Sequence, residues 1–257
     1  MKKTMVEICA IASGSNGNCY YIGNEREAIL VDAGISCKQL LERMAVRELD
    51  PTKLKAIFIT HEHVDHIRGT RVLSKKLNIP AFFTYGTWNN AHKSSKPLHY
   101  RFVHIDQALQ LGEITIHPFA KNHDASEPVS FRIEIDQVNV GVMTDIGSVC
   151  ENVIHHLKMC QAVFLESNYD EKMLMEGPYP WPLKKRVASA MGHLSNLQAL
   201  ELVTEHAGEN LKLVLLSHLS GENNTPEIAY ETFRPLHDKY EIINTSRHEA
   251  SEVKLIS

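Results

Sequence analysis

An apolar, β-branched run, Ala56-Ile57-Phe58-Ile59-Thr60, passes directly into the hexapeptide His61-Glu62-His63-Val64-Asp65-His66. A buried strand holds the loop at its end rigidly, so four potential metal ligands leave one fixed point of the fold. The alternation of His61 with His63 can aim two imidazoles at one point, while Asp65 and His66 turn toward a second point nearby. That geometry suits two metals better than one. Imidazole and carboxylate donors without a neighbouring cysteine fit zinc, manganese or iron, and they indicate a catalytic centre with open coordination positions rather than a closed structural zinc site. The plain alternative, a histidine-rich surface loop, leaves the strand and the spacing unexplained.

The chain has 257 residues, and layered α/β folds often run to about 250 residues as one unit, so residues 1–257 are expected to form a single domain. Apolar residues at 43% and charged residues at 23% supply a large core and exclude a disordered chain. The start, Met1-Lys2-Lys3-Thr4-Met5-Val6-Glu7, lacks a secretory apolar region, and no run is long enough to span a bilayer. Cys9, Cys19, Cys37, Cys150 and Cys160 are scattered, odd in number and without a C-x-x-C pair, which places the protein in a reducing, cytoplasmic compartment with each thiol as a small core residue. The net charge of −4 gives no global basic surface of the kind a nonspecific DNA binder carries. Two divalent ions would nonetheless make a cleft locally positive. Basic segments occur at Lys93-Ser94-Ser95-Lys96 and at Lys184-Lys185-Arg186, the second shortly before Gly192-His193.

Apolar strands and amphipathic stretches alternate from end to end without a linker or repeat. Strands are expected at 6–12, 19–22 and 28–31, separated by Gly/Asn turns, then at 56–60, 114–117, 129–135, 138–143, 162–165, 211–216 and around Ile242–Ile243. Helices are expected at 36–47 with Ser36 as N-cap, at 67–78 before Pro80, at 149–159, at 196–206, and from Pro226. Helices packed outside strand layers follow.

His-x-His-x-Asp-His after an apolar strand resembles the signature of the metallo-β-lactamase fold hydrolases, and the further landmarks of that family occur in order. Asp32 closes Ile29-Leu30-Val31, His123 lies in Asn122-His123-Asp124, Asp145 closes Val140-Gly141-Val142-Met143-Thr144, and His218 follows Leu211-Lys212-Leu213-Val214-Leu215-Leu216-Ser217. Ser13-Gly14-Ser15-Asn16-Gly17-Asn18, Leu165-Glu166-Ser167-Asn168-Tyr169-Asp170, Gly192-His193-Leu194-Ser195-Asn196 and Ser217-His218-Leu219-Ser220 resemble the YycJ/WalJ-type bacterial members, a subgroup associated with nuclease activity on DNA. The resemblance implies an α/β (α+β) chain folded as an αββα four-layer sandwich. It also implies two divalent metal ions, manganese or zinc with iron as a third option. His61, His63 and His123 would hold the first, Asp65, His66 and His218 the second, and Asp145 would bridge them.

His193 is the rival of His218, since both precede Leu-Ser, but a strand end is the more rigid platform. His193 then becomes either the general acid, a role imidazole suits near pH 7, or a structural histidine before a helix. Asp32 is placed to hold a ligand histidine in one tautomer. Asn168 and Asn196 either orient substrate or serve as turn and cap residues. Ser15, Asn16 and Asn18 either offer donors near the metals or a phosphate, or form a tight hairpin. Tyr179 and Trp181 could stack on a base, but such residues are more often core or loop-packing residues, and they are not counted as sites.

These residues lead to two-metal phosphodiester hydrolysis: metal-bound hydroxide attacks phosphorus, Asp65 orients it, and His193 protonates the departing sugar oxygen. The resemblance adds DNA as partner and 5′-to-3′ exonuclease polarity. It also implies an open cleft, because the segments between His123 and Asp145 and between Asp145 and His218 are too short for the arm and lid that some relatives insert there. One rival reading is hydrolysis of a small ester, thioester or lactone by the same centre. A redox diiron role is disfavoured because flavin-linked relatives carry glutamate where this chain has His63. The third reading is a non-catalytic nucleic-acid-binding module with a vestigial metal site. No membrane partner is expected.

Overall fold

The computed structural model describes residues 5–257. In its first strands, β1 (Val6–Ala12), β2 (Cys19–Gly23) and β3 (Ala28–Val31), nearly every residue on both faces is buried. A sheet apolar on both faces must be covered on both.

These strands join β4 (Leu54–Phe58), β5 (Ala81–Phe83), β6 (Tyr100–Phe102) and, from the far end of the chain, β14 (Lys254–Ile256) in the order β14-β1-β2-β3-β4-β5-β6. The second sheet comprises β7 (Leu109–Leu111), β8 (Ile114–Ala120), β9 (Val129–Ile135), β10 (Val138–Met143), β11 (Ala162–Glu166), β12 (Leu213–Ser217) and β13 (Glu241–Asn244), in the order β13-β12-β11-β10-β9-β8-β7. Both sheets are mixed, with β3 through β6 parallel to one another and β10 through β13 likewise.

The inner faces interdigitate: Ile8, Tyr20, Ile22 and Phe58 pack against Phe131, Ile133, Val142 and Phe164. Phe58 stacks on Phe82 at 4.6 Å between ring centroids and meets Phe131 edge-on at 5.8 Å. Each fully buried side chain of this size contributes roughly 1.5–3 kcal/mol through removal of apolar area from water.

The helices are α1 (Cys37–Val46), α2 (Val64–Ile67), α3 (Thr70–Leu77), α4 (Tyr85–Asn90), α5 (Glu151–Leu157), α6 (Glu171–Glu176), α7 (Trp181–Val187), α8 (Asn196–His206) and α9 (Pro226–Thr232). Leu40 and Met44 of α1 and Leu73 of α3 cover Cys9, Ile11, Tyr21 and Ile57 on the outer face of the first sheet. Val153, Leu157, Leu202 and Ala229 of α5, α8 and α9 cover Val163, Leu165, Val214 and Leu216 on the second. The layer order is αββα, as the resemblance implies.

The Ser36 cap is present as a reciprocal capping box with Gln39. The helix expected over 67–78 is instead two elements, α2 and α3, with a break at Arg68-Gly69. Gly69 lies against the Ala33–Ile35 segment, donating its N–H to Ala33 O at 2.8 Å, and a Cβ there would strike Ile35 O. A tertiary contact therefore sets this break. No helix among the described residues is long and apolar enough to cross a membrane.

Candidate metal centre

Because β3, β4, β10, β11 and β12 are parallel within their sheets, their carboxyl ends deliver polar residues to one rim of the sandwich, where open α/β sheets place ligands. Asp32 follows β3, the histidine motif follows β4, Asp145 follows β10, Glu166 ends β11 and His218 follows β12. Three of these residues, Asp32, Asp145 and His218, have left-handed backbone, with φ of 62°, 55° and 56°. Non-glycine residues held there cost on the order of 1–3 kcal/mol, a strain that concentrates at functional sites.

The motif itself divides in two. His61 lies beyond the end of the strand, and His63, in extended backbone, caps α2, whose single turn carries Asp65 and His66. The metal loop packs directly on the segment after β3, since a Cβ on Gly34 would collide with the Asp65 carbonyl. His61 Nε2 and His123 Nε2 lie 3.1 and 3.3 Å from His63 Nδ1. Four ligands at 2.0–2.1 Å from a tetrahedral zinc stand about 3.3 Å apart, so these nitrogens already have the spacing of a coordination shell. The other set is Asp65, His66 and His218: Asp65 Oδ2 is 3.5 Å from His66 Nε2 and 3.5 Å from His218 Nε2. Asp145 faces both, at 3.3 Å from His66 Nε2, 3.5 Å from His218 Nε2 and 3.9 Å from His123 Nε2. Asp145 Oδ2 and His218 Nε2 are buried without a hydrogen-bond partner among the described residues. Buried polar atoms are rarely left so, and a cation between the two sets satisfies them. The donor set therefore fits a pair of divalent cations.

Groups behind the ligands fix the tautomers. Thr60 Oγ1 donates to Asp32 at 2.9 Å, so it accepts the Nδ1–H of His61, also at 2.9 Å, and leaves His61 Nε2 as a lone pair. His66 Nδ1 donates to Asp32 Oδ2 at 2.7 Å and His123 Nδ1 to Gly192 O at 3.0 Å. His218 Nδ1 donates to Glu166 Oε1 at 3.1 Å. Such partners orient a ligand imidazole and raise its basicity.

Burial, reinforced by the nearby cations of His66 and Lys121, pushes His61 well below its ordinary pKa, and burial holds His123 down to about 4. Both are neutral, the form that binds metal. Burial opposes charge on His66 and His218 too, but Asp145 and its neighbouring carboxylates overcome it, raising His66 well above the ordinary value and His218 to about 10. Asp145 itself lies well below the usual carboxylate range, burial being outweighed by His218, His66 and His61. The negative field that keeps protons on these two imidazoles would equally hold a cation in their place.

The expected second-layer residues are placed unevenly. Asn18 lies in the site, its Nδ2 3.1 Å from His66 Nε2 and 3.3 Å from Asp65 Oδ2. Asn168 positions His218 by donating to its carbonyl at 2.7 Å. Ser15 is exposed on the turn closed by Gly17 N–H to Gly14 O, beside the exposed Asn16. Asn196 is turned away, bonded to Ser167 Oγ at 2.6 Å and to Asn224 Oδ1 at 3.0 Å. His193 is brought to the cleft, with its ring centroid 5.3 Å from His123 and 5.2 Å from His218.

Glu166 is not among the residues the sequence pattern assigns to the site, although it ends an apolar strand as Asp145 and His218 follow theirs. It is wholly buried and uses both oxygens: Oε1 accepts from His193 Nδ1 at 2.8 Å and from His218, while Oε2 accepts the N–H groups of Ile146 at 2.6 Å and Leu194 at 3.1 Å. Burial alone would raise its pKa, but His193 and His218 hold it at about 2. Asp124, also unassigned, sits 3.5 Å from His123 and accepts from Arg186 at 2.6 Å, which brings the basic segment of α7 to the rim.

A two-sheet αββα sandwich with paired His/Asp clusters at one rim defines a class of metallohydrolase folds. Residues 27–218 match the β-lactamase superfamily domain. The chain is 34% identical over 222 residues to exodeoxyribonuclease YycJ of Bacillus anthracis, covering 85% of this chain and 84% of that one. It is 35% identical over 228 residues to exodeoxyribonuclease WalJ of Streptococcus pneumoniae, covering 86% and 84% respectively. The metallo-β-lactamase fold protein YhfI of Bacillus subtilis superposes with a TM-score of 0.76 over 99% of this chain and 100% of that one, at 20% identity. The chain belongs to the metallo-β-lactamase superfamily.

Proposed function

We propose that this protein is a binuclear metal-dependent phosphodiesterase that digests DNA as a 5′-to-3′ exonuclease. The observation that carries the reading is the union, on one rim, of two adjoining ligand sets with a His193–Glu166 pair against Asp145 and His218, in a chain whose relatives at 34% and 35% identity are exodeoxyribonucleases. His61, His63 and His123 would hold one cation, Asp65, His66 and His218 the other, and Asp145 would bridge them. Imidazole-rich donors suit zinc, with iron as a further option, and the carboxylates of Asp65 and Asp145 add the oxygen donors that manganese takes. When bound, such a pair lowers the pKa of water and neutralises phosphate charge.

The chain's own residues supply the rest. Asp65 accepts a hydrogen bond from the attacking water and sets its line of approach. Glu166 holds His193 by Nδ1, so Nε2 is the atom that protonates the departing sugar oxygen. Arg186, half-exposed and anchored by Asp124, presents positive charge to the incoming phosphate. No protein nucleophile is needed.

The test is a Mn²⁺-dependent time course on 5′- and 3′-end-labelled single- and double-stranded DNA with matched RNA, a thioester panel, and an Asp145→Ala control. Stepwise shortening from the 5′ end, absent in the control, is the expected result. Turnover of thioesters with no cleavage of any strand would overturn the reading in favour of small-ester hydrolysis.

A further inference from the structure

Between Asp65 and Asp106 the chain has no aspartate or glutamate and carries seven lysines and arginines, in a protein whose net charge is −4. The second half of this stretch is also rich in rings. Tyr85 of α4 contacts Phe102 of β6 at 5.7 Å between centroids, Phe102 contacts Tyr100 at 5.7 Å, and Tyr100 stacks on Trp88 at 3.8 Å with an interplanar angle of 17°. Lys96 Nζ lies 5.0 Å from the Trp88 centroid. Three of the four rings stay wet: Tyr85 is 66% exposed, Tyr100 43% and Phe102 38%. Scattered exposed rings are ordinary, but a contiguous run bordered by cations marks a binding surface.

Its position links it to the metal centre. β5 and β6 run parallel to β4, with Phe58 opposite Phe82 and Phe83 opposite Phe102, so Tyr85 emerges on the same rim as His61. Two strand spacings, about 10 Å, separate β6 from the strand that feeds the metal loop. Hydrogen bonds span the gap: Gly86 N–H donates to Glu127 Oε2 at 2.6 Å, and Ser126 N–H and Oγ donate to Glu62 Oε1 at 2.8 and 2.7 Å. These two carboxylates are thereby engaged by the loops they join, and Glu62 stands between two metal-loop histidines.

We infer that the Tyr85–Phe102–Tyr100 face is a stacking platform for single-stranded DNA entering the metal centre, with Lys96 on its phosphates. The inference rests on the nuclease reading above and names how its substrate is held. Successive bases of a single strand can lie on exposed rings without sequence preference, whereas duplex bases are already stacked on each other. Charge complementarity selects a polyanion over a second copy of the chain, because edge-to-edge pairing of β6 strands would bring Arg101 against Arg101.

The probe is a fluorescein-labelled, hydrolysis-resistant phosphorothioate oligothymidylate of about 12 nucleotides, within the length such grooves span, together with a matched duplex. Anisotropy titrations against salt would compare the Mn²⁺-loaded wild type, Tyr85→Ala/Tyr100→Ala, Tyr85→Phe/Tyr100→Phe and Lys96→Gln, with thermal melts confirming folding. We expect single-strand affinity to fall by about fivefold or more per ring in the alanine variant, to be retained in the phenylalanine variant, and duplex binding to be unmoved. The charge variant should reduce the log–log salt slope by about 0.7, for one phosphate lost. Wild-type affinity in both the alanine and the charge variants, or a dimer dispersed by Tyr100→Ala, would overturn the platform while leaving the nuclease reading intact. Failure of the wild type to bind or cleave any strand would remove both.

Discussion

Glu166→Gln separates metal binding from folding because the isostere can satisfy only half of what the carboxylate does. Glu166 accepts four hydrogen bonds, two from the backbone of Ile146 and Leu194 and two from the Nδ1 atoms of His193 and His218. An amide has one oxygen, so either the backbone N–H groups or the imidazole N–H groups must face its NH₂. Leaving two buried donors unpaired would forfeit about 1–3 kcal/mol each. That loss is avoided if the oxygen stays on the two backbone N–H groups and the histidines change tautomer, accepting from the NH₂ through Nδ1. His218 Nε2, the atom aimed at Asp65 and Asp145, can then be freed for a cation only by moving the ring proton to Nδ1, where it would face the amide NH₂ instead of a carboxylate acceptor. Loss of such an outer partner lowers metal affinity by about 10- to 100-fold. At fixed metal concentration, the metal-dependent part of the stability should fall by about 1.4–2.8 kcal/mol. Calorimetric titration of the apo protein with Zn²⁺ or Mn²⁺, and denaturant melts with and without metal, measure both. Unchanged metal affinity alongside a fall in apo stability of several kcal/mol would refute the reasoning, because it would show the carboxylate to be a packing element alone.

Gly34→Ala forces a methyl into the Asp65 carbonyl and should destabilise by about 1–3 kcal/mol, read in urea melts, with a further loss of metal affinity as the loop shifts. Chelation of bound metal should lower the melting temperature, and readdition of Mn²⁺ should restore it in proportion to the logarithm of free metal. Stability also depends on pH through a histidine outside the centre. His156 stacks on Phe119 at 4.0 Å and accepts a hydrogen bond from Arg132 Nε at 3.2 Å; burial, then the charge of Arg132, lower its pKa from 6.5 to about 3. The unfolded chain therefore binds the extra proton first, so the stability due to neutral His156 is complete above about pH 6.5 and is lost as pH falls toward about 3. His156→Phe keeps the stack and should flatten that part of the stability–pH curve; an unaltered slope in chemical denaturation between pH 4 and 7 would count against the assignment.

The centre was legible where one physical pattern repeats: an apolar strand running into a polar residue that its neighbours have no reason to bury. Ile29–Val31 before Asp32, Ala56–Ile59 before the histidine motif, Val140–Met143 before Asp145 and Leu213–Leu216 before His218 all follow it. Parallel strands then put these ends on one rim without further instruction. Glu166 obeys the same rule after Ala162–Leu165, but a carboxylate that touches no cation is indistinguishable in sequence from one that does. Only the distances to His193 and His218 give it a role. Strands β5, β6, β7 and β14 are three residues each, too short for alternation to register, and their pairing comes from the sheet they extend. Asn196 shows the opposite limit, since its place one residue after Ser195 at the start of α8 was readable, while the inward turn of its amide depends on Ser167 and Asn224, each 28 or more residues distant. The break at Gly69 is of the same kind, imposed by the carbonyls of the segment after β3. Local pattern thus specifies which residues reach the rim, and long-range contacts decide which of them enter the two His/Asp clusters and which hold the others in place.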